Sequence, residues 1–375
     1  MPGAGLRIAL VIERFEPRGG GVEGVAWNVA HGLAAAGDAV RVLARRAEAP
    51  RSPGIEVEIV PAPAAWQPLR VALFSARTAR AARAAGCDVV HSFSRTRHQD
   101  VYRAGGGSHA AYMERSYGRA GAALRRASPR HAVLLAIEER VFADPRQTIQ
   151  CNSEMVRGEL RARYGIPAER LALVWNGVDL ERFSPRRRDT ERERVRGELG
   201  APQEAPVWLL VGTELRRKGL DTALAALAAG GPRDAELWVC GRARGDAWRG
   251  EALRRGVADR VRFLGPRADL ERIYAAADAL LLPTRYDAFA NVCLEAAAAG
   301  LPIVTSGANG AAGLLADGAL VVEDPADAAG FAKALDALAE PEARARLGAA
   351  AHAIAAGRSW ARHVEELRTL YARLA

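Results

Sequence analysis

An α/β chain of two successive doubly wound units is what this sequence predicts. Three observations carry it. Short apolar runs alternate with helix-patterned segments along the whole chain; a turn-rich, charged stretch at 176–206 interrupts them once; and 375 residues, at roughly 100–200 per domain, make two domains with ample core.

The first run, Ile8 to Ile12, is bounded by Glu13 and Arg14, then by a glycine turn at Gly19, Gly20 and Gly21, and then by a helical stretch from Glu23 to Ala36. Strands follow at Ala39 to Leu43, Val57 to Val60, Asp88 to His91 and Thr148 to Gln150, with helical patterns between them, which means a parallel sheet covered on both faces. The second series has strands at Val207 to Val211, Glu236 to Cys240, Val261 to Leu264, Ala279 to Leu282 and Pro302 to Val304. A ligand is expected in the crevice at the strand C-termini, and a last helix, Ser359 to Leu374, is expected to pack back on the first unit. The boundaries read 1–178, 179–358 and 359–375.

Composition excludes several classes. With 49% hydrophobic, 26% charged and 6% aromatic residues the chain is neither disordered nor disulfide-dense. The longest uncharged stretch, Ala296 to Ala316, is broken by Gly300, Pro302 and Gly310 into helix, strand, turn and helix, too short to span a bilayer. Ile8 to Ile12 is too short for a secretory core, so a cytoplasmic protein is expected. Cys87, Cys151, Cys240 and Cys293 form no metal-ligand spacing and read as buried thiols. The first 178 residues hold the whole net charge of +9, a field that favours an anionic partner or reflects an Arg-rich composition with only two lysines, Lys218 and Lys333. Nucleic acid is not expected, because neither aromatic platforms nor a helix-turn-helix accompany the charge.

Three segments carry chemistry. The glycine loop at 19–21 lies between strand and helix, where it is either a structural turn or an anion cradle; the dinucleotide GxGxxG spacing is absent. Arg216-Arg217-Lys218-Gly219 follows a strand and opens a helix, so its cations can hold a diphosphate and stabilise a nucleotide leaving group. Pro283 to Ala296 places Asp287 before a helix starting near Ala290 and Glu295 over one turn inside it, where carboxylates can accept hydrogen bonds from vicinal hydroxyls.

These motifs, with Ala-x-x-x-Gly-x-Pro following the second acid, resemble those of the retaining glycosyltransferases of family 4. Within the family, Asp88-Val89-Val90, Gln99-Asp100-Val101-Tyr102 and the 112–130 region are similar to the lipopolysaccharide core glucosyltransferase I group. The resemblance implies the GT-B fold, two Rossmann-like domains facing a central cleft. It also implies that Asp287, where the family usually has Glu, contacts the transferred sugar, Glu295 the ribose, and Arg217 and Lys218 the diphosphate, aided by amides of Ala288, Phe289, Ala290, Asn291 and Val292. Phe263 and Leu264 would meet the base, and Gly20 and Gly21 would close over the donor.

On the acceptor side the resemblance points to His109, near the donor's anomeric centre, and Asp100, which would orient the acceptor hydroxyl. Retention then needs no protein nucleophile, only positioning and charge stabilisation. No Asp-x-Asp triplet occurs, which fits an enzyme without metal or other cofactor. Arg115, Arg119, Arg125, Arg126 and Arg130, beside Tyr117 and Leu124, read as a face for an anionic membrane or a phosphorylated acceptor, and Leu69 to Ala85 offers a similar cationic face. The expected activity is transfer of a hexose, glucose from UDP-glucose, to a lipopolysaccharide core or other lipid-linked glycan by a monomer on the inner face of the cytoplasmic membrane. The alternatives are N-acetylglucosaminyl or mannosyl transfer in capsule or exopolysaccharide synthesis, and UDP-sugar epimerisation on the same fold.

Overall fold

The structure, a computed structural model, describes residues 5–17, 21–47, 53–63, 65–242 and 245–375. Gly20, one of the expected donor contacts, lies outside them. The chain divides into two compact units, one of residues 1–177 with 360–375 and one of residues 178–359.

In the first unit β1 (Arg7–Phe15), α1 (Gly21–Ala35), β2 (Ala39–Ala47), β3 (Ile55–Ile59), α2 (Gln67–Ala84), β4 (Val89–Ser92), β5 (Val101–Arg103), α3 (His109–Arg126), α4 (Pro129–Ala143), β6 (Thr148–Cys151), α5 (Glu154–Tyr164) and β7 (Leu171–Leu173) build a seven-stranded sheet. Its order is β3-β2-β1-β4-β5-β6-β7, and its pairs are parallel. The alternation of β1 explains why it is central: Ile8, Leu10 and Ile12 pack among the residues of α1, while Ala9 and Val11 pack with Phe74 and Ala82 of α2.

In the second unit α6 (Arg187–Leu199), β8 (Val207–Val211), α7 (Leu220–Ala229), β9 (Glu236–Cys240), α8 (Gly245–Arg254), β10 (Val261–Gly265), α9 (Leu270–Ala276), β11 (Ala279–Leu282), α10 (Asn291–Ala298), β12 (Ile303–Ser306), β13 (Ala319–Val322), α11 (Ala328–Ala337) and α12 (Pro341–Ala356) give a six-stranded parallel sheet of order β10-β9-β8-β11-β12-β13. The last helix, α13 (Trp360–Tyr371), belongs to the first unit. Leu367 and Tyr371 are fully buried there, worth roughly 1.5–3 kcal/mol for each large apolar side chain. Arg368 reaches Asp38 at 2.8 Å, and a Cβ on Gly32 of α1 would meet Val364 at 2.5 Å, so the helices need that glycine to approach.

Three expectations are corrected. The strands β5, β7 and β13 add to the expected set: β5 is three residues with a buried arginine, while β7 and β13 are short apolar runs that are only partly buried. The segment after β12 forms turns and a short 3₁₀ turn at Ala316–Gly318 where a helix was expected. The 112–130 region is two helices, with Gly118 at φ 70° kinking α3 and Arg130 on α4. No helix among the described residues is long and apolar enough to cross a membrane.

Candidate active site

In the second unit the turn after β8, the loop after β11 and the turn after β12 lie side by side, since these strands are neighbours in a parallel sheet. Their C-terminal ends are where such sheets bind ligands. The turn at 214–219 carries the cations ahead of α7, which begins only at Leu220. Two glycines shape it. A Cβ on Gly212 would lie 2.6 Å from Lys218 Cγ, so the lysine stem folds over bare backbone. Gly219, at φ 79°, approaches the Pro283 carbonyl so closely that a Cβ would sit 1.9 Å from its oxygen. The Arg217 carbonyl accepts hydrogen bonds from the Arg285 amide (2.8 Å) and Thr284 Oγ1 (3.1 Å), which fastens the turn to the next loop.

That fastening brings the charges together. Lys218 Nζ lies 2.6 Å and Arg217 Nη1 3.1 Å from Asp287 Oδ2, and Arg217 also donates to the Tyr286 carbonyl at 2.9 Å. Lys218 is 8% exposed. Burial alone would raise the Asp287 pKa, but Lys218 and then Arg217 outweigh it and hold the carboxyl below its ordinary value. Two cations thus meet one enclosed carboxylate, and Glu214 pairs with Arg217 from an exposed position at 3.2 Å.

Asp287 itself is set by backbone. Its amide donates to the Ala308 carbonyl at 3.0 Å, and its carbonyl accepts from the Gly310 amide at 2.8 Å. Between them Asn309, 1% exposed, uses its whole side chain: Oδ1 accepts from the amides of Ala290 (3.2 Å) and Ala311 (3.1 Å), and Nδ2 donates to Thr305 Oγ1 (3.0 Å) and faces Cys293 Sγ at 3.2 Å. Helix α10 has Ala290 at its N-cap, with no side chain to cap it, and Asn309 satisfies the amide of Ala290 itself from a different loop. The Ala290 amide is therefore taken, which removes it from the amides expected to hold phosphate. Sequence reasoning missed Asn309, since a cap supplied across 19 residues leaves no local spacing to read.

Glu295, on α10, accepts a hydrogen bond from the buried Tyr274 hydroxyl at 2.9 Å. Burial raises its pKa, against smaller opposing effects from Tyr274, Arg182 and Lys218. Ala288 and Phe289 are buried beside Asp287, while Asn291 and Val292, at the start of α10, are half-buried. Phe263 and Leu264 lie half-buried at the end of β10, the Arg249 guanidinium 5.4 Å from the Phe263 ring centre. Gly21 is the exposed first residue of α1.

In the first unit the two residues expected on the acceptor side lie at opposite edges of the sheet. Asp100 precedes β5 at the N-terminal edge of the sheet, where Oδ2 accepts from the Val90 amide at 2.8 Å. His109 follows β5 at the C-terminal edge. Asp100 is exposed and ties the starts of β4 and β5 together. His109 is 5% exposed, its Nε2 2.9 Å from His131 Nδ1. Burial foremost, then Arg95, lowers its pKa to about 3, so the ring is neutral near pH 7. Arg115, Arg119, Arg125, Arg126 and Arg130 are all exposed; Arg125 stacks over Tyr117 at 4.1 Å, Arg126 lies 3.9 Å from Glu114, and Leu124 is 79% exposed. Among the described residues no three His, Cys, Asp or Glu side chains are gathered to hold a metal ion.

Comparison with known proteins adds to this geometry. Residues 19–182 match the family described as Glycosyltransferase Family 4, and residues 205–341 match Glycosyl transferases group 1. A probable transglycosylase from Burkholderia thailandensis is 31% identical over 367 residues, covering 95% of this chain and 94% of that one. D-inositol 3-phosphate glycosyltransferases from Corynebacterium glutamicum and Salinispora tropica are 31% and 34% identical over 62% of this chain, and the match spans only 59% and 52% of their lengths. Among solved structures, WaaG, a glycosyltransferase involved in lipopolysaccharide biosynthesis, superposes with a TM-score of 0.84 at 25% identity, covering 97% of this chain and 99% of that one. Anabaena HepE in complex with UDP and glucose shares the fold at a TM-score of 0.74 and 18% identity, over 98% of this chain and 100% of its own.

Proposed function

We propose, on the premise that this chain belongs to glycosyltransferase family 4, that it is a retaining hexosyltransferase drawing glucose from UDP-glucose and passing it to a lipopolysaccharide core or other lipid-linked glycan. The observation that carries this reading is the Arg217–Lys218–Asp287 cluster beside Glu295 at the strand ends of the second unit. WaaG's part in lipopolysaccharide biosynthesis and HepE's complex with UDP and glucose support the choice of acceptor and donor.

In this reading Arg217 and Lys218 bind the diphosphate, Asp287 the transferred sugar and Glu295 the ribose hydroxyls. The amides of Phe289, Asn291 and Val292 assist, and His109 serves the acceptor side. The acceptor oxygen bonds to the anomeric carbon on the face from which the diphosphate departs; as the carbon–oxygen bond to phosphate breaks, the departing phosphate oxygen takes the acceptor's proton. The protein's contribution is position and positive charge.

A thermal-shift panel of UDP, GDP, ADP and their sugar conjugates tests the donor. UDP and UDP-glucose are expected to raise the unfolding temperature, since a ligand that binds only the folded state stabilises it. A shift confined to GDP or ADP conjugates would replace the donor assignment. The exposed arginines and Leu124 of the α3–α4 region support docking on an anionic membrane. Binding to phosphatidylglycerol vesicles should fall with salt, and salt-independent binding would overturn that part.

Glu295 gives a pH prediction. The carboxylate accepts hydroxyl donors more strongly than the protonated acid, and burial raises its pKa, so protonation sets in at a higher pH than for an ordinary glutamate. UDP-glucose affinity should weaken as pH falls through that raised value, and Glu295→Gln should flatten the dependence in calorimetric titrations. For stability the sign is opposite. The folded state takes this proton before the unfolded chain does, so the contribution is fully present below the unfolded value and is lost as pH rises through the folded one.

A further inference from the structure

His131 has no part in the motifs, yet it meets the acceptor-side histidine in the fold. His109 is the first residue of α3, and the N-terminus of that helix is already satisfied without its ring. Glu138, 1% exposed, accepts from the His109 amide at 2.6 Å and from the Ala110 amide at 3.4 Å, while Ser108 Oγ accepts from the Ala111 amide at 3.3 Å. Tyr164 donates to the same Glu138 carboxylate at 2.6 Å. The imidazole of His109 is thus free of capping duty, and it points its Nε2 at His131 Nδ1, 2.9 Å away on α4. The two rings lie nearly parallel, 5.1 Å between centres and 24° between planes, with Tyr112 stacked on His109 at 6.0 Å.

We propose that His131 is a positioning residue, which fixes the orientation and the tautomer of the His109 ring. Burial first, then the nearby Arg95 and Arg130 for His109 and Arg130 and Arg125 for His131, keeps both rings neutral near pH 7. Each neutral imidazole carries one N–H, and a hydrogen bond between two ring nitrogens needs one proton between them. If His131 Nδ1 donates, His109 must carry its own proton on Nδ1; if His109 Nε2 donates, its Nδ1 is a bare acceptor. Either way the second ring determines what His109 presents on its remaining nitrogen. Partners of this kind set the tautomer of functional histidines elsewhere.

The inference rests on the assignment of His109 to the acceptor side, and the experiment separates the two. Nitrogen-15 NMR of histidine-labelled protein, with His109→Gln identifying the resonances, should show His109 in one tautomer in the wild type. In His131→Leu its two ring nitrogens should move toward averaged shifts, and the kcat for UDP-glucose turnover should fall about tenfold or more with KM nearly unchanged. His131→Asn, whose amide stands where Nδ1 stood, should restore both. His131→Gln, whose amide stands at the position of Nε2, should not, and it provides a folded control if the leucine variant unfolds. Unchanged His109 shifts in both His131→Leu and His131→Gln, or full kcat in both while His109→Gln is impaired, would overturn the proposal. Full kcat in His109→Gln would instead remove His109 from the transfer and with it the role claimed for His131.

Discussion

Lys218→Ala is expected to reduce UDP-glucose turnover by about 10²–10³, the loss typical when one preorganised charge donor is removed from a reaction centre. The reasoning starts from the Nζ to Asp287 contact of 2.6 Å in a nearly closed setting. Removing the ammonium leaves Asp287 with Arg217 alone, so its pKa rises from its lowered position, and one of the two cations that would receive a diphosphate is lost. Arg217 remains at 3.1 Å, which limits the structural damage. Breaking a largely buried pair outright costs about 3–5 kcal/mol, and the surviving partner should hold the loss of stability below that. Steady-state turnover and urea unfolding, measured side by side, check the prediction. An alanine variant with wild-type kcat would show that the donor's phosphates are held elsewhere.

Gly219→Ala is expected to be strongly damaging despite its small size. The residue sits at φ 79°, where a Cβ costs roughly 1–2 kcal/mol, and the added atom would lie 1.9 Å from the Pro283 oxygen, which is backbone and cannot rotate away. Either the turn at 214–219 or the loop at 283–287 must move. Because the Arg217 carbonyl ties the two together, the movement carries Lys218 and Arg217 off Asp287. Destabilisation of about 2–4 kcal/mol with loss of UDP binding is the expected result, read by urea unfolding and calorimetry. A variant that unfolds like the wild type would mean that the glycine in the Arg-Lys-Gly segment serves some need other than close approach.

Both predictions concern contacts that the sequence does not display. What it displays well are strands such as Val207–Val211, Glu236–Cys240 and Ala279–Leu282, each buried along its length and bounded by charge or turn residues. They are legible to the residue. By contrast Val101–Arg103 carries a buried cation and gives no run, whereas Ala319–Val322 is apolar throughout in the sequence but only half buried in the fold. The acid-seven-acid motif and the cations could be read as donor-site residues from chemistry and family resemblance. That Asp287 meets Lys218 across 69 residues could not, since no periodicity couples positions so far apart. The contacts of Asn309 and His131 have the same cause. Their roles come from which loops the strand order makes neighbours, a property of topology and not of local spacing.

The final helix has a consequence for how the chain comes into being. The first unit begins first, yet Leu367, Leu370 and Tyr371 of its core leave the ribosome only after the whole second unit. At ribosomal rates of about 5–20 residues per second, everything after residue 177 takes about 10–40 s to appear. For that interval Val25, Val29 and Leu33 of α1 lack the cover that α13 later supplies, and the second unit is complete before the first. Birth order and completion order are thus reversed for the two units, and the nascent chain must carry an open apolar seam until Trp360–Tyr371 arrives.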